Sequence, residues 1–310
     1  MIAISRGPRL RALGIVLYGP EGIGKTTLAS QFPKPVFIDL EKGTDTMDVF
    51  RTEAPETFED FLRLLDAIEL EQDFDSVVID TADKLEQLII EYVCSKHNLK
   101  SIEDANYGKG YTYIAEEMVR FLKKCGEVIE CGKNVIIVAH AQMRKFEQPD
   151  ALGAYDRWEL KLTKKSAPIV KEWADMVLFL NYKTIVVTDE KTKSQKGKGG
   201  KRVIYTTHNP AWDAKNRFGL PEEMEMNETD ELFACFARVE KKESPIDYIK
   251  KIFSEQKISE EDLIAYIRKK NPKLREDAVS LETLPPAFIK TIKENTDKII
   301  NSIKEEENNG

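Results

Sequence analysis

Residues 19–26 read Gly-Pro-Glu-Gly-Ile-Gly-Lys-Thr, and no other stretch of the 310-residue chain restricts its fold so tightly. The spacing G-x-x-x-x-G-K-[ST] builds a loop whose backbone N–H groups turn inward around an anion, and it works only between a strand and a helix. Both flanks are present: the apolar run 14–18 precedes the loop, and residues 26–32 are suited to the helix that follows. Gly19, Gly22 and Gly24 let the backbone wrap, Pro20, Glu21 and Ile23 fill the remaining loop positions, and the helix start adds the positive end of its dipole. Lys25 is then placed for the β- and γ-phosphates of a nucleoside triphosphate, the Thr26 hydroxyl for Mg²⁺, and Thr27 closes the cradle.

Short apolar runs alternate with longer amphipathic stretches from the start of the chain to about residue 237, the pattern of an α/β fold with a mostly parallel central sheet. Strands are expected at 14–18, 35–40, 76–80, 134–139 and 176–181, and helices at 57–72, 82–97 and 111–131. The strand cores VVI, VIIV and MVLFL are continuous, which requires helices on both faces. Residues 183–188 and 201–207 read as a β-hairpin extending or projecting from the sheet. Near Arg238 the composition turns to Lys, Glu and Ile without strands, so the expected division is 1–238 for the α/β domain and 239–310 for a small helical tail module. In that tail a Ser259 cap starts a helix to residue 270, residues 287–303 carry an isoleucine stripe, and the acidic end is expected to fray.

The formal charge of −7 excludes a polycation that coats nucleic acid indiscriminately. No run approaches the ~20 apolar residues of a membrane span and none has signal-peptide character, so a soluble cytoplasmic protein is expected, without a membrane partner. Cys94, Cys125, Cys131 and Cys235 form no C-x-x-C pair and read as reduced structural thiols.

Asp80 ends a buried strand and would hold Mg²⁺ through water at the edge where α/β sheets place their ligands; capping of the next helix is the alternative, and both could coexist. Thr81 follows it, where many P-loop ATPases carry a catalytic glutamate, so the base that activates water must come from elsewhere. Glu41 is the candidate: it closes the second strand, which a parallel sheet could set beside the phosphate-loop strand. A solvated surface Glu is the plain alternative.

The phrases YGPEGIGKTTLA, FIDLEKGTD, FDSVVIDTAD, NVIIVAHAQ and AKNRFGLP, spread over about residues 10–225, resemble the RecA-like P-loop NTPases. More narrowly, the chain is similar to phage-encoded members of the Sak-type single-strand annealing ATPase group. The resemblance implies ATP and Mg²⁺ as cofactors, Glu41 of FIDLE as general base, and a polar γ-phosphate sensor at the end of the fourth strand, where either His140 or Gln142 could serve. It also implies a homo-oligomer, ring or filament, in which a neighbour's cation completes the site; Arg217 is the candidate, with Lys215, Lys164 and Lys165 as others. Two loops, 96–113 and 143–165, would bind single-stranded DNA, and both mix aromatics with cations: Tyr107, Lys109, Tyr111 and Tyr113, then Arg144, Lys145, Tyr155, Arg157, Trp158, Lys161, Lys164 and Lys165. The basic segment 191–202 at the hairpin tip could also grip phosphate. In a phage setting the protein would act in the host cytoplasm.

A Mg²⁺-dependent ATPase acting on single-stranded DNA in recombination or annealing leads these readings. An ATP-driven switch or loader whose tail binds a single-strand binding or replication protein is the alternative. A small-molecule kinase lacks its arginine-rich lid, and a GTPase its N-K-x-D phrase.

Overall fold

The computed structural model describes residues 6–7, 11–147, 154–188, 195–236, 244–272, 274 and 277–308. In order the chain runs β1 (Gly14–Gly19), α1 (Lys25–Ala29), β2 (Pro35–Asp39), β3 (Phe50–Arg51), α2 (Phe58–Leu70), β4 (Ser76–Asp80), α3 (Ala82–Lys96), α4 (Lys109–Glu130) and β5 (Asn134–Glu147). It continues through β6 (Ala154–Leu160), α5 (Ser166–Trp173), β7 (Met176–Thr188), β8 (Gln195–Tyr205), β9 (Glu223–Glu225) and α6 (Asp230–Ala234). The strands form one sheet in the order β3-β2-β4-β5-β1-β7-β8-β9, with β6 paired to the outer half of β5. From β3 to β7 neighbours run parallel; β8, β9 and β6 are antiparallel additions. This is a mixed α/β fold of the P-loop NTPase kind, with its mostly parallel sheet.

Every residue of β1 is buried, because helices cover both faces of the parallel part. Ile15, Leu17, Val78, Ile136, Val138 and Leu178 form one core layer with Ile23 and Leu28, so the phosphate loop is pinned through its own isoleucine. Truncating Leu17 to Ala would cost about 3 kcal/mol. Helix α4 buries Ile114, Met118, Phe121, Leu122, Cys125, Val128 and Ile129, an i, i+4, i+7 stripe of the kind a sheet-covering helix needs. The four cysteines are free thiols.

Several expectations are corrected. Strand β2 does not lie beside β1; β5 and β4 stand between them. The second strand ends at Asp39, so Glu41 sits two residues beyond it. Helix α1 spans only Lys25–Ala29. Residues 143–165 are no simple loop: β5 continues past the core and folds back as β6, a second hairpin whose turn lies outside the described residues. The tip of the β7–β8 hairpin, including 191–194 of the basic segment, also lies outside them, as does the junction near Arg238.

The chain divides into two compact units, 1–62 with 73–240 and 63–72 with 241–310. The second is helical, with α7 (Pro245–Glu255), α8 (Glu260–Lys270), α9 (Pro286–Glu294) and α10 (Thr296–Asn308). It takes in residues 63–72, which the sequence reading leaves in the α/β domain. Ile249, Phe253, Leu263, Ile267, Ile289 and Ile303 sit in its core. Ser244 caps α7 ahead of Pro245, and Ser259 forms a capping box with Asp262 at α8. The isoleucine stripe at 287–303 is carried by two helices, which meet around Asn295.

Candidate functional site

The C-terminal edge of the parallel strands collects the polar residues. Strand register sets Asp39 beside Asp80 and Gly19 beside His140. Gly19 is required by packing, since a Cβ there would stand 2.3 Å from the Leu180 carbonyl oxygen of β7. Gly22 and Gly24 take φ of 72° and 106°, the left-handed region a side chain resists, and turn the loop around its interior. Pro20 is half-buried, Glu21 and Thr27 are exposed, and Ile23 is wholly buried.

Lys25 is buried and folds back over the loop, its Nζ donating to the carbonyls of Gly19 (3.1 Å) and Pro20 (3.0 Å). Burial lowers its pKa, opposed by the nearby charges of Asp80, Asp83, Glu41 and Glu21. Thr26 donates to Asp80 Oδ2 at 2.7 Å, so a hydroxyl and a carboxylate of the type that holds Mg²⁺ face each other. Burial pushes the Asp80 carboxyl up to about 6, and the charges of Glu41 and Asp39 add to it; the Thr26 hydroxyl and Lys25 pull the other way. A divalent cation would relieve that crowding of negative charge. Asp80 does not cap the following helix; Thr81 does, accepting from the Lys84 backbone N–H.

Glu41 reaches this edge although two strands stand between its own strand and β1. Asp39 is the cause: its carboxylate accepts backbone N–H groups of Glu41 (3.1 Å), Gly43 (3.2 Å) and Thr44 (2.8 Å) and the Thr44 hydroxyl (2.6 Å), folding 39–44 into a tight turn. Burial alone would raise its pKa, but these bonds outweigh burial and lower it. The turn aims Glu41 at Thr81, whose hydroxyl donates to Oε1 at 2.9 Å, with His140 Nδ1 3.8 Å from the same oxygen.

Asp83, the second residue of α3, clamps His140, accepting from its backbone N–H (3.0 Å) and from Nδ1 (2.8 Å). That bond raises the His140 pKa against burial, while on Asp83 burial is outweighed by the hydrogen bonds from His140 and the pKa falls. Donor atoms of Glu41, Asp83 and His140 lie within 4.8 Å of one another, a set that could hold a cation. Hydrogen bonding between His140 and Asp83 makes it equally a self-satisfied relay. Sequence reasoning missed Asp39, Thr81 and Asp83 as participants; the D-x-x-D spacing of Asp80 and Asp83 across a strand-to-helix junction was the available signal.

A family model described as an AAA domain matches residues 11–218, two thirds of the chain, and the matched span holds all of this geometry. The chain belongs to the AAA domain family. The chain is also similar to the SPbeta prophage-derived uncharacterized protein YorG of Bacillus subtilis (strain 168), at 24% identity over 172 residues. That alignment covers 54% of this chain and 50% of the relative, so the chain spans about half the length of the curated protein it matches. The AAA domain is a P-loop ATPase domain, and nucleotide binding follows from it. Among the described residues no helix is long and apolar enough to cross a membrane.

The remaining candidates sit elsewhere on the AAA domain. The Gln142 amide donates to the Leu160 carbonyl at 3.0 Å, whereas it is His140 that meets Asp83 and approaches Glu41. Arg217 is exposed in the segment after β8, near Lys215, whose backbone pairs with Val177 at the opposite end of β7. It is therefore not part of the site built by its own chain. Within 143–165 the aromatic and basic residues divide. Arg157 is buried in an ion pair with Asp213, Trp158 packs near Phe179, and Tyr155 packs on Phe146. Tyr113 likewise stacks on His97, 4.0 Å between centroids. Six others converge, since Tyr107, Tyr111, Arg144, Lys161, Lys164 and Lys165 line a cavity of 720 Å³ with Tyr107 fully exposed, whereas Lys109 and Lys145 are exposed and do not line it.

Proposed function

We propose that this AAA-domain protein is a Mg²⁺-dependent ATPase whose turnover is coupled to single-stranded nucleic acid. The observation that carries the catalytic part is the convergence of Glu41 with Thr26, Asp80 and Lys25 at one sheet edge, brought about by the Asp39 turn. When bound, Mg²⁺ neutralises phosphate charge. Thr26 and Asp80 would hold it, and the loop N–H groups and Lys25 would bind the triphosphate. Glu41 accepts a proton from water and orients it, Thr81 fixes the carboxylate's rotamer, and His140, locked by Asp83, stands where the ladder of β5 with β1 ends, the place at which a γ-phosphate would be sensed. A cation from a neighbouring copy, with Arg217 as candidate, would complete the charge balance in a homo-oligomer.

The nucleic-acid part is supported by the 720 Å³ cavity, which offers cations for a phosphate backbone and the exposed Tyr107 ring for an unstacked base. The relative's prophage origin fits a phage recombination or annealing setting. The decisive experiment measures ATP turnover of the wild type and Glu41→Gln with and without a single-stranded oligonucleotide. Glu41→Gln should retain ATP binding while turnover drops at least about a hundredfold. Parental turnover in Glu41→Gln would remove Glu41 as the base. Absence of ATP-sensitive oligonucleotide binding at low salt would favour a switch that loads a replication partner.

A further inference from the structure

The sheet order decides which way a nucleotide can lie. The carboxylates stand over β4 and β5 on one side of β1, so a triphosphate with its terminal phosphate there must direct its nucleoside across the loop toward β7 and β8. On that side, against the flank of α1, is a second cavity of 460 Å³, within the size range of small-molecule sites. Helix geometry agrees: Thr26 faces Asp80, and Thr27, ~100° further around the helix, lines this cavity.

The side chains around it are unusual for a surface. Cross-strand partners Tyr182 and Arg202 on the β7–β8 hairpin both reach the phosphate loop, Tyr182 through its hydroxyl, 3.5 Å from the Gly22 carbonyl. Arg202 Nη1 lies 3.2 Å from where a Cβ on Gly24 would stand. Two lysines of the hairpin are ion-paired, Lys183 with Glu223 and Lys201 with Glu225, whereas Arg202 has no carboxylate partner among the described residues. Gln31, just after α1, and Asn227, just after β9, likewise have no hydrogen bond for their side-chain amides among those residues. Leu28 and Met226 supply the apolar lining.

Resting on the ATPase reading above, we propose that this cavity is the nucleoside site, with Arg202 binding the phosphate nearest the ribose and the amides of Gln31 and Asn227 selecting adenine. A carboxamide carries a donor and an acceptor side by side and matches the N6 donor and adjacent ring acceptor of adenine in two parallel hydrogen bonds. Guanine's N1–H and N2 amino group call for a carboxylate, and Glu225, the acid lining the cavity, is already paired with Lys201. Arg202 lies against the loop itself, which places its charge at phosphate and leaves the base to the amides.

Calorimetric titration of the full chain with ADP, GDP and inorganic tripolyphosphate tests this, using Gln31→Ala/Asn227→Ala, Arg202→Ala and Lys25→Ala. All three altered cavity residues are exposed, so folding is preserved. Wild type should prefer ADP over GDP by at least roughly tenfold, and the double amide variant should lose most of that preference. Arg202→Ala should weaken ADP and GDP alike by about tenfold. Tripolyphosphate should bind the amide variant as it binds wild type. Equal affinity of wild type for ADP and GDP, or unchanged ADP affinity in the cavity variants while Lys25→Ala abolishes it, overturns the nucleoside site alone. ADP binding that survives Lys25→Ala overturns the phosphate-loop reading beneath it.

Discussion

The two flanks of the phosphate loop are built in opposite ways. Toward β4 and β5, Asp39, Glu41, Asp80, Thr81, Asp83 and His140 are tied to one another or to backbone, with each orientation fixed before any ligand arrives. Toward β7 and β8, Gln31, Arg202 and Asn227 are exposed side chains without such ties among the described residues. Chemistry needs groups held to within fractions of an ångström, and the flank proposed for chemistry is the one held by hydrogen bonds. Recognition tolerates side chains that order on contact, and leaving them untied keeps their hydrogen-bonding capacity for the ligand.

The sharpest way to break this contrast is Asp80→Asn. Mg²⁺-dependent nucleotide affinity should fall about a hundredfold, yet the ligand-free protein should gain stability. The sign follows from the raised pKa. Asp80 folds most favourably below its unfolded value of 3.8, and that contribution is lost as pH rises through about 6. At neutral pH its ionisation therefore costs about 3 kcal/mol, an upper bound on the gain. Thermal melts and titrations with and without Mg²⁺ measure the two effects, and a destabilised ligand-free Asp80→Asn would contradict the electrostatic account.

A smaller effect is expected at Thr81. Thr81→Val removes the hydroxyl that holds Glu41, and turnover should drop roughly tenfold with ATP affinity unchanged, while Thr81→Ser keeps the parental rate. Equal rates in both would mean the carboxylate is oriented by something else.

The smallest concerns Asp83 and His140. His140, with its pKa raised, contributes stability fully below its unfolded pKa and loses it as pH rises through the higher folded one. Asp83, with its pKa lowered, contributes above its unfolded value and loses it as pH falls through the lower folded one. Their pair is therefore strongest between about pH 4 and 6.5, and Asp83→Asn should cost about 1 kcal/mol there and less above pH 8. A flat pH profile of the stability difference would show that the two groups do not titrate together.

How far the residues announced all this differs between the flanks as well. The phosphate loop, the five parallel strands of the core and the β7–β8 hairpin follow from local pattern, since a glycine-rich turn and continuous apolar runs are properties of neighbouring residues. Glu41 could be named from FIDLE, but its route to this edge could not, because strand order is a long-range choice and β4 and β5 stand between its strand and β1. Gln31 and Asn227 carried no signal, being ordinary polar residues that only the fold assembles, and Arg202 was legible only as the last cation of the basic segment 191–202, with nothing to tie it to the phosphate loop. Arg157 and Trp158 misled for the converse reason: their types suit nucleic acid, but tertiary packing with Asp213 and Phe179 uses them up.

Strand β5 carries a last consequence. Up to Val138 it is bonded to neighbours on both sides, and its ladder with β1 ends at His140, after which only β6 accompanies it. Sliding the whole strand would tear two ladders at once, so a pull on its distal half can be met only by bending where the double anchorage stops. That hinge point is the histidine facing Glu41, and a load seated among Arg144 and its neighbours would thus arrive at the Glu41 carboxylate as a rotation.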